Sequence, residues 1–185
     1  MSSPTRTAPD SPPSNLCEMF LRDVALLLVT SRLIKGSLFA LRPECEFSPE
    51  LTKTIDTVAA LSDCGEPYLR KPLLEAGAVL PALPESTASS VVKEFIASIP
   101  VQVSPSVLAA EVISSLRLLV QHIELKVMLA AESAVLVGQN RLSRALLKWA
   151  AEWRACGQIL RIVTVRVRAK AYVADLDSSA TSQFA

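Results

Sequence analysis

The fold of this chain is decided by residues 105–170, PSVLAAEVISSLRLLVQHIELKVMLAAESAVLVGQNRLSRALLKWAAEWRACGQILRIVTVRVRAK. This stretch has no proline after Pro105, and only Gly138 and Gly157 interrupt it as glycines. Proline breaks helix interiors because it removes a hydrogen-bond donor and clashes with the preceding turn. The stretch therefore predicts long helices, with a break and restart between Gly138 and Asn140, or else one continuous helix.

Apolar residues recur every three or four positions through this region, which is the spacing of one helix face. They form two series: Val112, Leu116, Leu119, Ile123, Val127, Ala130, Ala134 and Val137, then Leu142, Leu146, Trp149, Trp153, Cys156, Leu160, Val163 and Val167. Residues 162–168 depart from the pattern, because alternating β-branched residues are typical of a strand. No second convincing strand exists to pair with them, so we predict helix here too, with Leu119 and Ile123 in the core.

Shorter elements are expected upstream. Asn15 with Glu18 three residues later resembles a capping box and predicts a helix over 16–41. Ser48 before Pro49 predicts the start of a second helix, which ends near residue 65. Residues 86–98 predict a short third helix.

These patterns predict an all-α fold, a helical bundle with long C-terminal helices. A disordered Ser/Pro-rich tail is expected over 1–14, because this composition cannot bury apolar area. A single helical domain follows over 15–174, with a Pro-rich connector at about 65–85 that holds one-turn pieces at most. Residues 175–185 are expected to be a polar tail.

Composition excludes several classes of protein. Half of the chain is apolar but only 5% is aromatic, which is typical of packed Leu, Val, Ala and Ile helices. Residues 1–15 lack the basic start and apolar core of a signal peptide. The apolar stretches at 16–41 and 107–137 each contain five charged residues, so we expect no transmembrane helix. We expect an intracellular protein, cytoplasmic or nuclear, with reduced thiols.

The residues that could carry chemistry are few. His122 is the only histidine, and no carboxylate lies one helical turn away to orient it. The four cysteines lack the close pairs of a zinc site, and the five glycines are too isolated for a phosphate-binding loop. We therefore expect no catalytic residues, no metal and no cofactor. An enzyme of helical fold, with a site assembled from distant residues, remains an alternative.

Basic residues concentrate at the C-terminal end. Residues 141–170 carry eight Lys and Arg against Glu152 alone, whereas residues 1–100 carry nine against twelve acidic residues. Arg154, Arg161 and Arg168 recur every seven residues, so we predict one exposed stripe on the last helix. This basic helix can pair with the acidic half of the same chain or serve a partner.

Trp149 and Trp153 lie one turn apart, where tryptophans are usually core residues and otherwise anchor a partner. The leading hypothesis is a non-enzymatic helical interaction protein, an adaptor, assembly subunit or regulator. It would bind a protein partner through its C-terminal helices, with Arg154, Arg161, Arg168, Trp149 and Trp153 as candidate contacts. A peripheral binder of anionic membrane or nucleic acid through residues 141–170 is the alternative, and homo-oligomerisation is left open.

Overall fold

A computed structural model describes residues 15–99 and 103–182. Within these ranges the chain forms six α-helices and one short 3-10 helix, with no strand. In chain order the α-helices are α1 (Leu16–Leu41), α2 (Pro49–Asp63), α3 (Gly65–Glu75), α4 (Glu85–Ala97), α5 (Pro105–Leu136) and α6 (Asn140–Ser182), and the 3-10 helix is Arg42–Cys45. The all-α fold and the long C-terminal helices are confirmed. The predicted tail over 1–14 lies outside the described residues.

The two longest helices form an antiparallel hairpin. Arg154 of α6 pairs with Glu124 of α5, and Arg168, later in α6, donates a hydrogen bond to Ser114, which lies earlier in α5. The turn closes as the sequence predicts, because Gly138 adopts a φ of +75° that other residues rarely tolerate. The amides of Gly138 and Gln139 donate to carbonyls at the end of α5, at 3.0 and 2.7 Å. These two bonds satisfy carbonyls that the end of a helix otherwise leaves unpaired.

The apolar seams of the hairpin supply much of the core. Leu119 and Ile123 are buried, as predicted, and α6 buries Leu142, Leu146 and Leu160 alongside them. α1 packs against α2, α4 and α5, whereas α3 packs against α6. The result is one continuous core to which all six α-helices contribute.

The predicted helix starts are confirmed at atomic detail. The Asn15 side chain accepts a hydrogen bond from the Glu18 amide at 2.9 Å, and α1 covers 16–41 as expected. Ser48 accepts from the Leu51 amide at the start of α2, where Pro49 occupies the first turn. Residues 162–168 are helical despite their β-branched side chains, and the Thr164 hydroxyl donates to the Leu160 carbonyl at 2.7 Å.

Two boundaries differ from the prediction. The connector expected at 65–85 contains α3, an eleven-residue helix with Pro72 in its interior. Pro67 lies in its first turn, where the missing amide hydrogen would have had no helical partner in any case. The connector between α3 and α4 is therefore only 76–84, and it begins with a turn at 76–77. α6 continues to Ser182, into the segment expected to be a polar tail.

Two helical segments are long and apolar enough to cross a membrane by length and composition, Leu16–Cys45 and Pro105–Leu136. The sequence-based expectation of no such helix is therefore too strong, because each segment has an 18-residue window with at most two charged residues. Less than half of each window is buried inside the bundle. Core helices of water-soluble proteins and N-terminal signal sequences satisfy the same criteria.

Candidate interaction surface

The two tryptophans of α6 are core residues. Both indoles are fully buried, with ring centroids 6.5 Å apart. Their ring N–H groups find no acceptor among the described residues, so apolar packing is what holds them. Trp149 and Trp153 are thus not exposed anchors for a partner, and the core interpretation is the one that the structure supports.

Several basic residues of α6 contact other helices of the same chain. Arg141 pairs with Glu75 of α3 at 2.7 Å, and Lys170 pairs with Glu50 of α2 at 3.1 Å. The Lys148 ammonium lies 5.2 Å from the centre of the Tyr68 ring. The basic helix therefore does pair with the acidic N-terminal half, through pairs at both ends of its basic region.

The predicted arginine stripe is exposed, but two of its three members contact α5. Arg154 donates to Glu124 at 2.7 Å and approaches the Met128 sulfur, and Arg168 donates to Ser114 at 3.0 Å. Arg161 lies between them, is exposed, and has no hydrogen-bond or ion-pair partner within the described part of the chain. Two members of the stripe thus contact α5, and of the three only Arg161 is free for another molecule.

A second unpartnered arginine lies on the outer side of α6. Arg166 is exposed and, like Arg161, forms no polar contact within residues 15–99 and 103–182. Between these two arginines the helix exposes large aliphatic side chains, with Ile162 56% and Val165 67% accessible. Ile159, Tyr172 and Val173 extend the exposed apolar area along the helix. We call Ile159, Arg161, Ile162, Val165, Arg166 and Val173 the α6 outer face.

The periodicity of α6 explains why these residues share one surface. With 3.6 residues per turn, the core series from Leu142 to Val167 occupies one side. The outer face takes the opposite side, where no other described helix packs. The seven-residue spacing predicts the arginine stripe but not the aliphatic residues beside it, because the strand-like alternation at 162–168 obscures their helical arrangement.

His122 lies in another region of the surface, between α1, α4 and α5. It borders two grooves of about 270 and 260 Å³, one shared with Asp23 and Lys126, the other with Glu94 and Phe95. Partial burial lowers the pKa of His122, Lys126 lowers it further, and Glu94 opposes both. Tertiary packing therefore brings this histidine near carboxylates that are distant in sequence.

Among the described side chains, His122 is not part of a hydrogen-bonded nucleophile–base pair. His122 forms no hydrogen bond to a hydroxyl, thiol or carboxylate in the described part of the chain. The Thr30 hydroxyl beside it already donates to the Leu26 carbonyl at 2.8 Å. A nucleophile and its base would need to lie within hydrogen-bond reach of each other.

None of the four cysteines lines either groove. All four cysteines are free, and burial raises the pKa of Cys45 and of Cys156 to about 11. Both are therefore protonated at neutral pH, whereas nucleophilic attack requires the thiolate. No group of three or more His, Cys, Asp or Glu side chains in the described ranges could hold a metal ion.

Comparison with known proteins adds no assignment, since no family model, no curated protein and no solved structure matches this chain.

Proposed function

We propose that this chain is a non-enzymatic helical interaction protein that binds a protein partner through the α6 outer face. The supporting observation is that Arg161 and Arg166 lie unpartnered beside exposed Ile162 and Val165 on the face opposite the core. Exposed apolar residues that form a continuous area, edged by polar groups, commonly mark interaction sites. Arginine is also enriched in interfaces.

The charges on α6 indicate what kind of partner would fit the outer face. Between residues 141 and 173 the only acidic residue of α6 is Glu152, whose carboxylate accepts a hydrogen bond from the Tyr68 hydroxyl at 3.3 Å. The outer face itself is therefore basic and aliphatic. A partner helix with an apolar stripe flanked by Asp or Glu would match it in both respects.

An intracellular setting belongs to the same proposal. The four cysteines remain free thiols, and Cys17 is exposed to solvent. Reduced cysteines are usual in the cytosol and nucleus, whereas secreted proteins tend to form disulfides. Binding to an anionic membrane or to nucleic acid through the same arginines is the competing interpretation.

The test is a double charge reversal on the outer face, Arg161→Glu with Arg166→Glu. Because neither arginine has a partner in the described structure, the free energy of unfolding should change by no more than about 0.5 kcal/mol. Affinity capture from the source cells, quantified by mass spectrometry, should recover a defined acidic protein with the wild type and not with the double variant. Direct titration of that purified protein should then show at least a tenfold weaker affinity for the variant.

The matched control reverses two exposed charges elsewhere, Lys53→Glu on α2 and Arg70→Glu on α3. It changes net charge by the same amount and should retain the captured protein. Equal capture by all three forms would contradict the proposal. So would preferential binding of the wild type to phosphatidylserine vesicles or to duplex DNA, with an affinity that falls steeply with salt.

A further inference from the structure

A different face of the hairpin carries a second apolar seam, on α5. Leucines at 118, 125, 129 and 136 are 68, 56, 48 and 76% exposed, although they lie on a helix whose opposite side is core. Together with His122 and Glu132, these leucines form a series whose successive members are four, three, four, three and four residues apart. The members of this α5 seam are Leu118, His122, Leu125, Leu129, Glu132 and Leu136.

This spacing is that of a coiled-coil contact, in which apolar residues alternate at intervals of three and four. The core seam of α5, which includes Leu119 and Ile123, has the same spacing and is already covered by the rest of the bundle. The α5 seam is therefore a surplus contact surface, about 27 Å long at 1.5 Å per residue. A helix that is apolar on more than one side is normally buried on those sides, and exposed apolar areas mark interaction sites.

The order of residues in the α5 seam identifies that other helix. The series is symmetric about position 127: Leu118 matches Leu136, and Leu125 matches Leu129. In the same register, His122 matches Glu132. A second copy of α5, placed antiparallel about a twofold axis at residue 127, would therefore align leucine with leucine and histidine with glutamate.

Charge favours this antiparallel arrangement over a parallel one. In a parallel pair, Glu132 would face Glu132 of the second copy, which places like charges together. In the antiparallel pair, Glu132 instead approaches the ammonium of Lys126, which is exposed one turn from His122, and the imidazole of His122 can donate a hydrogen bond to it. Glu94 and Asp23 border the grooves beside His122, so they partly offset this attraction. Opposite charges across an interface fix register and suppress wrong pairings.

We propose that this protein forms an antiparallel homodimer through the α5 seam. Such a contact is isologous, because the same surface is used on both copies and the assembly closes at two. The dimer does not depend on the proposed partner of α6, since it uses residues of α5 only. Loss of one interaction therefore leaves the other to be measured.

Sedimentation velocity of the full chain tests the proposal directly. Protein concentrations of roughly 1–50 µM cover the dissociation constants of weak and moderate dimers. We expect the wild type to shift from monomer to dimer with rising concentration. Leu125→Glu with Leu129→Glu puts four carboxylates at the centre of the seam and should weaken association at least about a hundredfold. A control with Leu74→Glu and Val79→Glu, two residues over 80% exposed outside the seam, should dimerise normally.

Circular dichroism should show unchanged helix content in both variants, because all four residues are exposed. A wild type that stays monomeric throughout would overturn the proposal. Equal dimerisation of the Leu125→Glu, Leu129→Glu variant would do the same, since the contact would then lie elsewhere.

Cysteine cross-linking tests the orientation, in a Cys17→Ser background that removes the exposed native thiol. A chain with both Leu118→Cys and Leu136→Cys should form an intermolecular disulfide under mild oxidation. Leu118→Cys alone should not, because the two copies of position 118 would lie about 27 Å apart along the helix axis. A disulfide formed by Leu118→Cys alone would demonstrate a parallel pair and overturn the proposal, as would the absence of any cross-link in the double variant.

Discussion

At the scale of single residues, the backbone of Gly65 packs directly against the Trp149 ring. A methyl group built on Gly65 would lie 2.5 Å from the Trp149 ring, far inside van der Waals contact. The indole is fully buried and cannot move without disturbing the core. Glycine is thus required at the start of α3 because any side chain there would clash with the indole. The backbone conformation does not require it, since Gly65 does not have a positive φ.

We expect Gly65→Ala to lower the free energy of unfolding by roughly 1–3 kcal/mol, as for other overpacked cores. Gly36→Ala in α1 is the matched control, because nothing lies within 4 Å of the added methyl group. It should raise the free energy of unfolding by about 0.5–1 kcal/mol, the usual gain over glycine in a helix. Urea unfolding of both variants measures the difference. Equal stability of the two would show that α3 does not pack on α6 as described.

At the scale of elements, the core seam of α5 is central to the stability of the bundle. Leu119 and Ile123 face inward while Leu118 and Leu125 on the same helix face outward. Replacing Leu119 or Ile123 by alanine should cost roughly 2–5 kcal/mol, because each change leaves a cavity in a close-packed core. Leu74→Ala, at an 81% exposed position of α3, should cost far less.

Thermal unfolding followed by circular dichroism measures these three variants. If Leu119→Ala and Ile123→Ala both keep the wild-type melting temperature, the core seam is not a core and its residues belong to an interface. The variants are best compared at one protein concentration, because association stabilises a folded chain by mass action.

The helix pattern could be predicted where local signals agree. Asn15 and Ser48 cap their helices as expected, since their side chains reach backbone amides only three residues away. α3 could not be predicted, because Pro67 and Pro72 read as helix breakers in sequence. Its placement depends on a tertiary contact, the packing of Gly65 beneath Trp149, which local propensity does not contain.

At the scale of the whole molecule, the candidate interaction surface could be predicted from the sequence only in part. The sequence located the basic helix, but the separation of its arginines into paired and unpaired depends on which helices lie beside it. Arg154 finds Glu124 from α5, and Arg141 finds Glu75 from α3. Reversal of Arg154 would therefore place a carboxylate against Glu124, so Arg161 and Arg166 are the better probes of binding.

The most direct test of the central claim is photo-cross-linking from the α6 outer face. A benzophenone amino acid at position 165, which is 67% exposed, should form a covalent adduct with a partner protein in source-cell lysate. The adduct should disappear when Arg161→Glu and Arg166→Glu are added. The same probe at position 79, 83% exposed in the connector, should give no such adduct. Absence of an adduct at 165, or adducts there only with lipid or nucleic acid, would contradict a protein-binding role for this face.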